Sequence, residues 1–314
     1  MHLIRADQFV GCVLGLATGD ALGAPHEGGP LERFVWRCIG KTRDGNMRWT
    51  DDTQMARDLA DSLLAEGCAR PDAIARCFAD GYRWSRGYGP GTARVLRRVR
   101  AGADWQEATT FVHAEGSLGN GAAMRAPIIA LFFANEHDAI IEAATVSAKV
   151  THAHPLGVEG AVVIAVATRA LLDRAPVERV LDSVMSATSS SDFSDRFAVA
   201  RICLEARCDV SPAEVAKTLG NGVTAITSCV TASYIALRHL DAPFETMMRF
   251  IIACGGDVDT IGAMAGAMWG AYNGAARLPA IALEERDALV ALAGRLYERA
   301  TAPRPCSMLH PEHQ

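Results

Sequence analysis

The chain has 314 residues, of which 50% are hydrophobic and 21% charged, with a formal net charge of −5. That length holds one large core or two small domains, and the composition is that of a soluble globular protein, which excludes disordered and collagenous classes. A net-negative chain offers no basic field for nucleic acid. The most apolar stretch, 158–172, is too short to read as a membrane span and carries Glu159 and Arg169.

In chain order, residues 7–23 read as a buried helix rich in Gly and Ala, inside the run GLATGDALGAPHE. A loop with Pro25, Gly28, Gly29 and Pro30 follows and carries Glu27. This carboxylate reads either as a solvated loop acid or as a mobile acid over a metal site. Residues 31–49 mix aromatics with a turn at Asp44-Gly45, and no helix is assigned there. Thr50, Asp51, Asp52 and Thr53 then open a helix over 51–66.

Further helices are expected at 72–85, 91–101, 104–114, 121–134, 136–149, 156–173, 176–187, 191–206, 212–218, 224–239, 244–254, 259–275 and 282–300. Asp72, Asp104 and Ser211 stand as caps at three of these starts. Strand signals are scarce, because aromatics are few and no long period-two alternation occurs. No linker or composition shift divides the chain. The expectation is an all-α fold, one compact multi-helix domain over 1–301, with an extended or mobile tail over 302–314 that holds His310 and His313. The nine cysteines form no C-x-x-C pair, and the start MHLIRADQFVGC lacks the features of a secretory signal. Reduced thiols in a cytoplasmic protein are the simplest expectation.

Four short segments carry chemistry. Asp51 and Asp52 near one end, and Asp257 and Asp259 near the other, would repel strongly if packed together without a cation. Oxygen-only sets of Asp carboxylates and Thr hydroxyls, here Thr50 and Thr260, suit Mg²⁺ or Mn²⁺, and a two-metal site joining the chain's ends would position and polarise a substrate. The ordinary alternative is helix capping, since Asp and Thr are common at helix starts. Capping explains the second cluster less well, because Gly255 and Gly256 precede it and Gly262, Gly266, Gly270 and Gly274 follow at four-residue spacing. The segment GSLGNGAAMRAP, 116–127, is a Gly-rich loop before a helix start, which reads as an anion cradle or as a simple turn. In VTHAHPLG, His152 and His154 flank Ala153, as a metal pair, a substrate hydrogen-bond donor or a helix-entry turn.

Taken in order, GLATGDALGAPHE, WTDDTQM, RGYGPGT, GSLGNGAAMRAP, VTHAHPLG and GGDVDTIGAMAGAMWGAYNG resemble the ADP-ribosylglycohydrolase family over most of the chain. The resemblance implies an all-α fold with two adjacent divalent cations, Mg²⁺ or Mn²⁺, held by Thr50, Asp51, Asp52, Asp257, Asp259 and Thr260. It implies that Gly116, Ser117, Gly119, Asn120 and Gly121 meet the ADP-ribose phosphates, with backbone N–H groups around Asn120 facing them. His152 would border the ribose and phosphate site, and Tyr88 and Gly89 the distal ribose. The implied activity is metal-dependent hydrolysis at the anomeric carbon of ADP-ribose on a protein acceptor, serine- or arginine-linked. Glu27 is the candidate proton-transfer group for an oxygen link and Asp52 for arginine. The chain departs from some relatives where an aromatic residue stacks on adenine: Val112 and Leu118 stand there, with Phe111 or Trp105 as nearby substitutes. The Gly-Tyr-Gly loop tilts the reading towards serine linkage. The alternatives are a hydrolase of another ADP-ribose or nucleoside-phosphate derivative, and a non-catalytic ADP-ribose-binding or toxin-immunity protein. The sequence leaves the oligomeric state open.

Overall fold

A computed structural model describes residues 4–205 and 210–302, apart from the Glu32 side chain. The tail expected beyond Ala302, with its histidines, lies outside the described residues, as do Cys208 and Cys306. Among the described residues there are sixteen α-helices and no strand, only isolated bridges. The helices that position the site are α1 (Ala6–Gly23), α2 (Pro30–Ile39), α3 (Asp51–Glu66), α9 (Pro155–Leu172), α13 (Ala225–Arg238) and α15 (Val258–Asn273).

Helices α9, α13 and α15 are apolar nearly all round because they form the centre, packed on one another and screened by amphipathic outer helices. Helix α9 has the length and apolarity of a membrane span, but it is a core helix. Its Glu159 carboxylate accepts the N–H groups of Ser189 and Ser190, and its Arg169 pairs with Asp173 at 2.8 Å.

The packing that matters most joins α1 to α15, which run side by side with their glycines in register. Gly11, Gly15, Gly19 and Gly23 on α1 face Gly270, Gly266, Gly262 and Asp259 on α15 and Gly274 just beyond its end. A methyl group at Gly19 would lie 2.5 Å from the Gly262 carbonyl carbon, and one at Gly23 would lie 2.5 Å from the Asp259 Cα. Only hydrogen fits between these backbones, so the four-residue spacing is a steric requirement of the seam.

Several expectations about elements need correction. Residues 30–39 form α2, although no helix was assigned there. Its Leu31, Phe34 and Val35 keep a helical period but face outward, exposed, and the adjoining Gly and Pro resemble a loop. Asp72 is not a cap: the fourth helix (Pro71–Gly81) starts earlier, with Arg70 at the cap position, and Asp72 instead accepts from Trp105 Nε1 at 2.8 Å. Asp104 and Ser211 do cap, Ser211 through a reciprocal box with Glu214. The helix expected over 121–134 is confined to Pro127–Phe132, because residues 121–126 make successive tight turns ahead of Pro127. The last helix starts at Arg286, not 282. Leu283 instead bridges to Met47, and Glu284 accepts from Arg86 Nη1 at 2.6 Å. Arg86 also lies over the Trp49 ring at 3.5 Å and donates to the Trp49 carbonyl, which fixes the entry to α3.

Candidate active site

The first acidic cluster does cap its helix. The Thr50 hydroxyl accepts the Asp52 N–H, and α3 begins at Asp51. A second capping group comes from another helix. The Asp20 carboxylate on α1 accepts the Thr50 N–H at 2.9 Å, the Thr53 N–H at 3.1 Å and the Thr53 hydroxyl. A negative charge at a helix N-terminus is favourable and ties up otherwise unpaired donors. Helix α1 therefore fixes both acidic starts, α3 through Asp20 and α15 through the glycine seam.

The turn into α15 is built by Gly255 and Gly256, both left-handed at φ 65° and 79°. The Asp257 N–H donates to the Asn221 carbonyl at 2.8 Å, and the Thr260 N–H donates to Asp259 Oδ1 at 2.8 Å. Carboxylate oxygens of Asp20, Asp52 and Asp259 lie within 4.8 Å of one another, and those of Glu27, Asp257 and Asp259 do likewise. Asp51 belongs to neither group but lines the same cavity. The Thr50 and Thr260 hydroxyls both donate to Asp52 Oδ2, at 3.0 and 3.4 Å.

Burial pushes these carboxyls up. Asp20 and Asp257 rise to about 6; Asp51, Asp52 and Asp259 rise well above the usual range, helped by neighbouring acids. Among the described residues, no Lys or Arg lines the cavity of about 300 Å³ that Asp51, Asp52, Asp257 and Asp259 share. The buried Asp52 Oδ1 has no hydrogen-bond partner among the described residues. A hard divalent cation answers all three observations, and the oxygen-only donor set fits one.

The far wall of the cavity comes from the Gly-rich loop and His152. Gly89, Ser117, Gly119, Asn120, Gly121 and His152 line it, together with Thr92, His113 and Val223. Two expected donors are already engaged: the Asn120 N–H donates to the Val223 carbonyl at 3.0 Å, and the Gly119 N–H to Ser117 Oγ at 3.2 Å. The Asn120 side chain instead reaches the Asp257 carboxylate and Ser228 Oγ, joining the loop to the acidic cluster. Tyr88 and Gly116 are not at the cavity wall. The Tyr88 ring is buried against Tyr82, with centroids 4.9 Å apart. Gly116 lies under the backbone of His154, where a Cβ would sit 2.5 Å from the Ala153 carbonyl carbon. His154 caps α9 by accepting the Leu156 N–H.

Arg125, which sequence reasoning assigned no role, organises this wall. It is fully buried and meets only neutral acceptors: the carbonyls of Gly121 and Ser147, and the hydroxyls of Thr151 and Ser147. Because Thr151 Oγ1 accepts from Arg125, its one proton is available for His152 Nδ1, 2.8 Å away. Burial pushes His152 down to about 3, so the ring is neutral. Its Nε2 faces Gly119 and Gly121, where a Cβ would lie 3.1 and 3.0 Å from it. The cavity thus pairs acids on one side with a neutral imidazole and a glycine backbone on the other.

For an aromatic adenine contact, neither substitute reaches the cavity. Phe111 is exposed beneath the Arg98 guanidinium, 3.8 Å from its ring centroid, and Trp105 is held by Asp72. Val223 is the exposed apolar side chain at the cavity wall.

Comparison with known proteins agrees with this arrangement. The profile of the ADP-ribosylglycohydrolase family matches residues 1–306. The chain belongs to the ADP-ribosylglycohydrolase family. This glycohydrolase is similar to ADP-ribosylhydrolase ARH3 of Bos taurus, at 31% identity over 93% of this chain and 94% of that protein. It is 32% identical to ADP-ribosylhydrolase ARH3 of Danio rerio over 96% of this chain and 93% of the relative. A solved structure described as an ADP-ribosylglycohydrolase-related protein complex superposes with a TM-score of 0.70 at 29% identity, covering 95% of this chain and 99% of that one.

Proposed function

We propose that this glycohydrolase uses two divalent cations, Mg²⁺ or Mn²⁺, to hydrolyse the bond between ADP-ribose and an oxygen-linked protein side chain. The observation that carries the reading is the position of Glu27. Its carboxyl lies in the Glu27–Asp257–Asp259 group, on a loop at the edge of the acid-lined cavity, half-buried. A cation pair, when bound among Asp51, Asp52, Asp257, Asp259 and the Thr50 and Thr260 hydroxyls, supplies Lewis acidity at the distal ribose and cancels the charge of the carboxylates.

The residues of the chain do the rest. The glycine wall admits the diphosphate closely, and the neutral His152 donates from Nε2 to an oxygen there. Thr151, itself held by Arg125, keeps that imidazole in place through Nδ1. In the hydrolysis, a water oxygen bonds to the anomeric carbon while the bond from that carbon to the acceptor oxygen breaks. The electron pair of the broken bond stays on the acceptor oxygen. Glu27 takes the proton from the water and delivers it to that oxygen, so the products are ADP-ribose and the free hydroxyl. The acids on the ribose side and the glycine wall on the phosphate side hold the anomeric carbon within reach of Glu27.

The test is a release assay on serine-linked, arginine-linked and nucleic-acid-linked ADP-ribose in parallel, with and without EDTA. Release from the serine-linked substrate that EDTA abolishes is the expected result. Release that persists in EDTA would remove the cation requirement, and preference for arginine would reassign the linkage.

A further inference from the structure

Glu27 stands between two cavities of opposite character. On one side is the acid- and glycine-lined cavity. On the other is a larger one of about 430 Å³. Glu27, Gly87 and Asp259 belong to both walls. Leu31, Val35, Trp36 and Ile39 of α2, with Trp84 from the opposite side, give the second cavity its surface. No Lys or Arg among the described residues lines it. Leu31 is 71% exposed, Val35 45% and Trp84 84%, although they sit together at its mouth. A cluster of large apolar side chains left in water next to a catalytic acid is a surface made to be covered.

What covers it follows from the reaction. If ADP-ribose fills the polar cavity up to Glu27, the atoms beyond the broken bond lie on the other side of Glu27. That side is apolar and uncharged apart from the shared acids. A phosphate backbone would find no Lys or Arg there among the described residues and would meet the Glu27 carboxylate, which argues against a nucleic-acid acceptor. A strongly solvated peptide would lose its water without replacement. We infer that the second cavity receives the acceptor polypeptide, and that the enzyme selects sites where an aliphatic or aromatic residue neighbours the ADP-ribosylated one. Leu31, Val35 and Trp84 are the specificity determinants. The inference rests on the proposed role of Glu27 at the cleaved bond.

The experiment uses the full chain with Mg²⁺ and two synthetic ADP-ribosylated peptides of equal length and charge. They differ only at the residues flanking the modified position, Leu and Phe in one and Asn and Gln in the other. Each is made in serine-linked and arginine-linked form, and an ADP-ribosylated oligonucleotide is run beside them. The expected kcat/KM is about tenfold higher for the apolar-flanked peptide in whichever linkage is cleaved, the scale of one good hydrophobic contact. Trp84→Ala and Val35→Asn should bring that ratio close to one. Free ADP-ribose affinity, measured by calorimetry, should hold in both variants. Because both side chains are exposed, neither change threatens the core. Equal rates on the two peptides, or a ratio that survives both substitutions, would overturn the inference while leaving the proposed hydrolysis intact. Faster release from the oligonucleotide would overturn it as well. ADP-ribose binding with no release from any substrate would overturn the proposed hydrolysis, and the inference with it.

Discussion

Gly19→Ala is the sharpest test of how the site is held. The new methyl group would lie 2.5 Å from the Gly262 carbonyl carbon and 3.1 Å from the Ala263 nitrogen, where ordinary contact begins at 3.4 Å. The opposing atoms are backbone and cannot rotate aside, so α1 and α15 must part by about 1 Å at this point. Overpacking of this kind costs about 1–3 kcal/mol, and a rigid partner places the value at the upper end. For a chain of this size that is a fall of roughly 3–5 °C in Tm. The functional loss should exceed the stability loss. Gly19 adjoins Asp20, which anchors α3, and Gly262 lies one turn from Asp259. A displacement of about 1 Å among positioning groups costs on the order of a hundredfold in rate. The assay is thermal melting with and without Mn²⁺, beside turnover. Gly294→Ala is the matched control, because a Cβ there meets nothing within 4 Å in the middle of an exterior helix. It should gain up to about 1 kcal/mol from helix propensity. A Gly19→Ala protein with the Tm, Mn²⁺ response and turnover of the parent would refute the seam argument. So would a Gly294→Ala protein destabilised as strongly.

Other consequences are open to measurement. Asp259→Ala removes the one carboxylate common to both acidic groups, so it should abolish turnover and the rise in Tm on adding Mn²⁺ while the far-ultraviolet circular dichroism stays helical; a preserved Mn²⁺ shift would exclude Asp259 as a ligand. Glu27→Gln should lower the rate on serine-linked substrate by about a hundredfold or more with ADP-ribose affinity little changed; an active variant, in an enzyme that prefers arginine-linked substrate, would end the assignment. Asp58 tests the electrostatics away from the cavity. One oxygen accepts from Gln54 Nε2 at 2.8 Å, the other has no partner, and burial pushes the carboxyl from 3.8 up to about 7. Between those pH values the folded chain holds a proton that the unfolded chain has lost, so this group costs stability increasingly as pH rises from about 4 to 7. The full cost above that window is at most on the order of 4 kcal/mol. Asp58→Asn should therefore raise Tm at pH 8 clearly more than at pH 5, and an equal shift at both would contradict it.

The helical architecture was legible because apolar periodicity and side-chain caps are local. Asp104 and Ser211 announce their helices within three residues. The two acidic clusters were legible because Asp51–Asp52 and Asp257–Asp259 are dense in the sequence as well as in space. Asp20 was not, because it is a single acid in a Gly- and Ala-rich helix whose partners, Thr50 and Thr53, are set by tertiary packing. Its one visible signal was a charge among residues too small to shield it. Arg125 escaped for the opposite reason: a fully buried guanidinium bound to neutral acceptors breaks the usual rule for arginine. Helix α2 was hidden because its apolar face is turned to solvent. Tyr88 lies in the RGYG motif, yet its ring points away from the cavity, a direction the loop sequence does not encode.

The seam between α1 and α15 also has a consequence for how the protein comes into being. Helix α1 is synthesised long before the backbone that must cover its glycine face. Until α15 emerges, α1 has no partner for that face, and the carboxylates of Asp20 and Asp259 remain far apart. Long-range closure of this kind is slow, and it places site formation at the end of folding. A chain interrupted before residue 258 lacks one wall of the acidic cavity altogether. The acidic cavity is therefore complete only once the two sides of the seam have met.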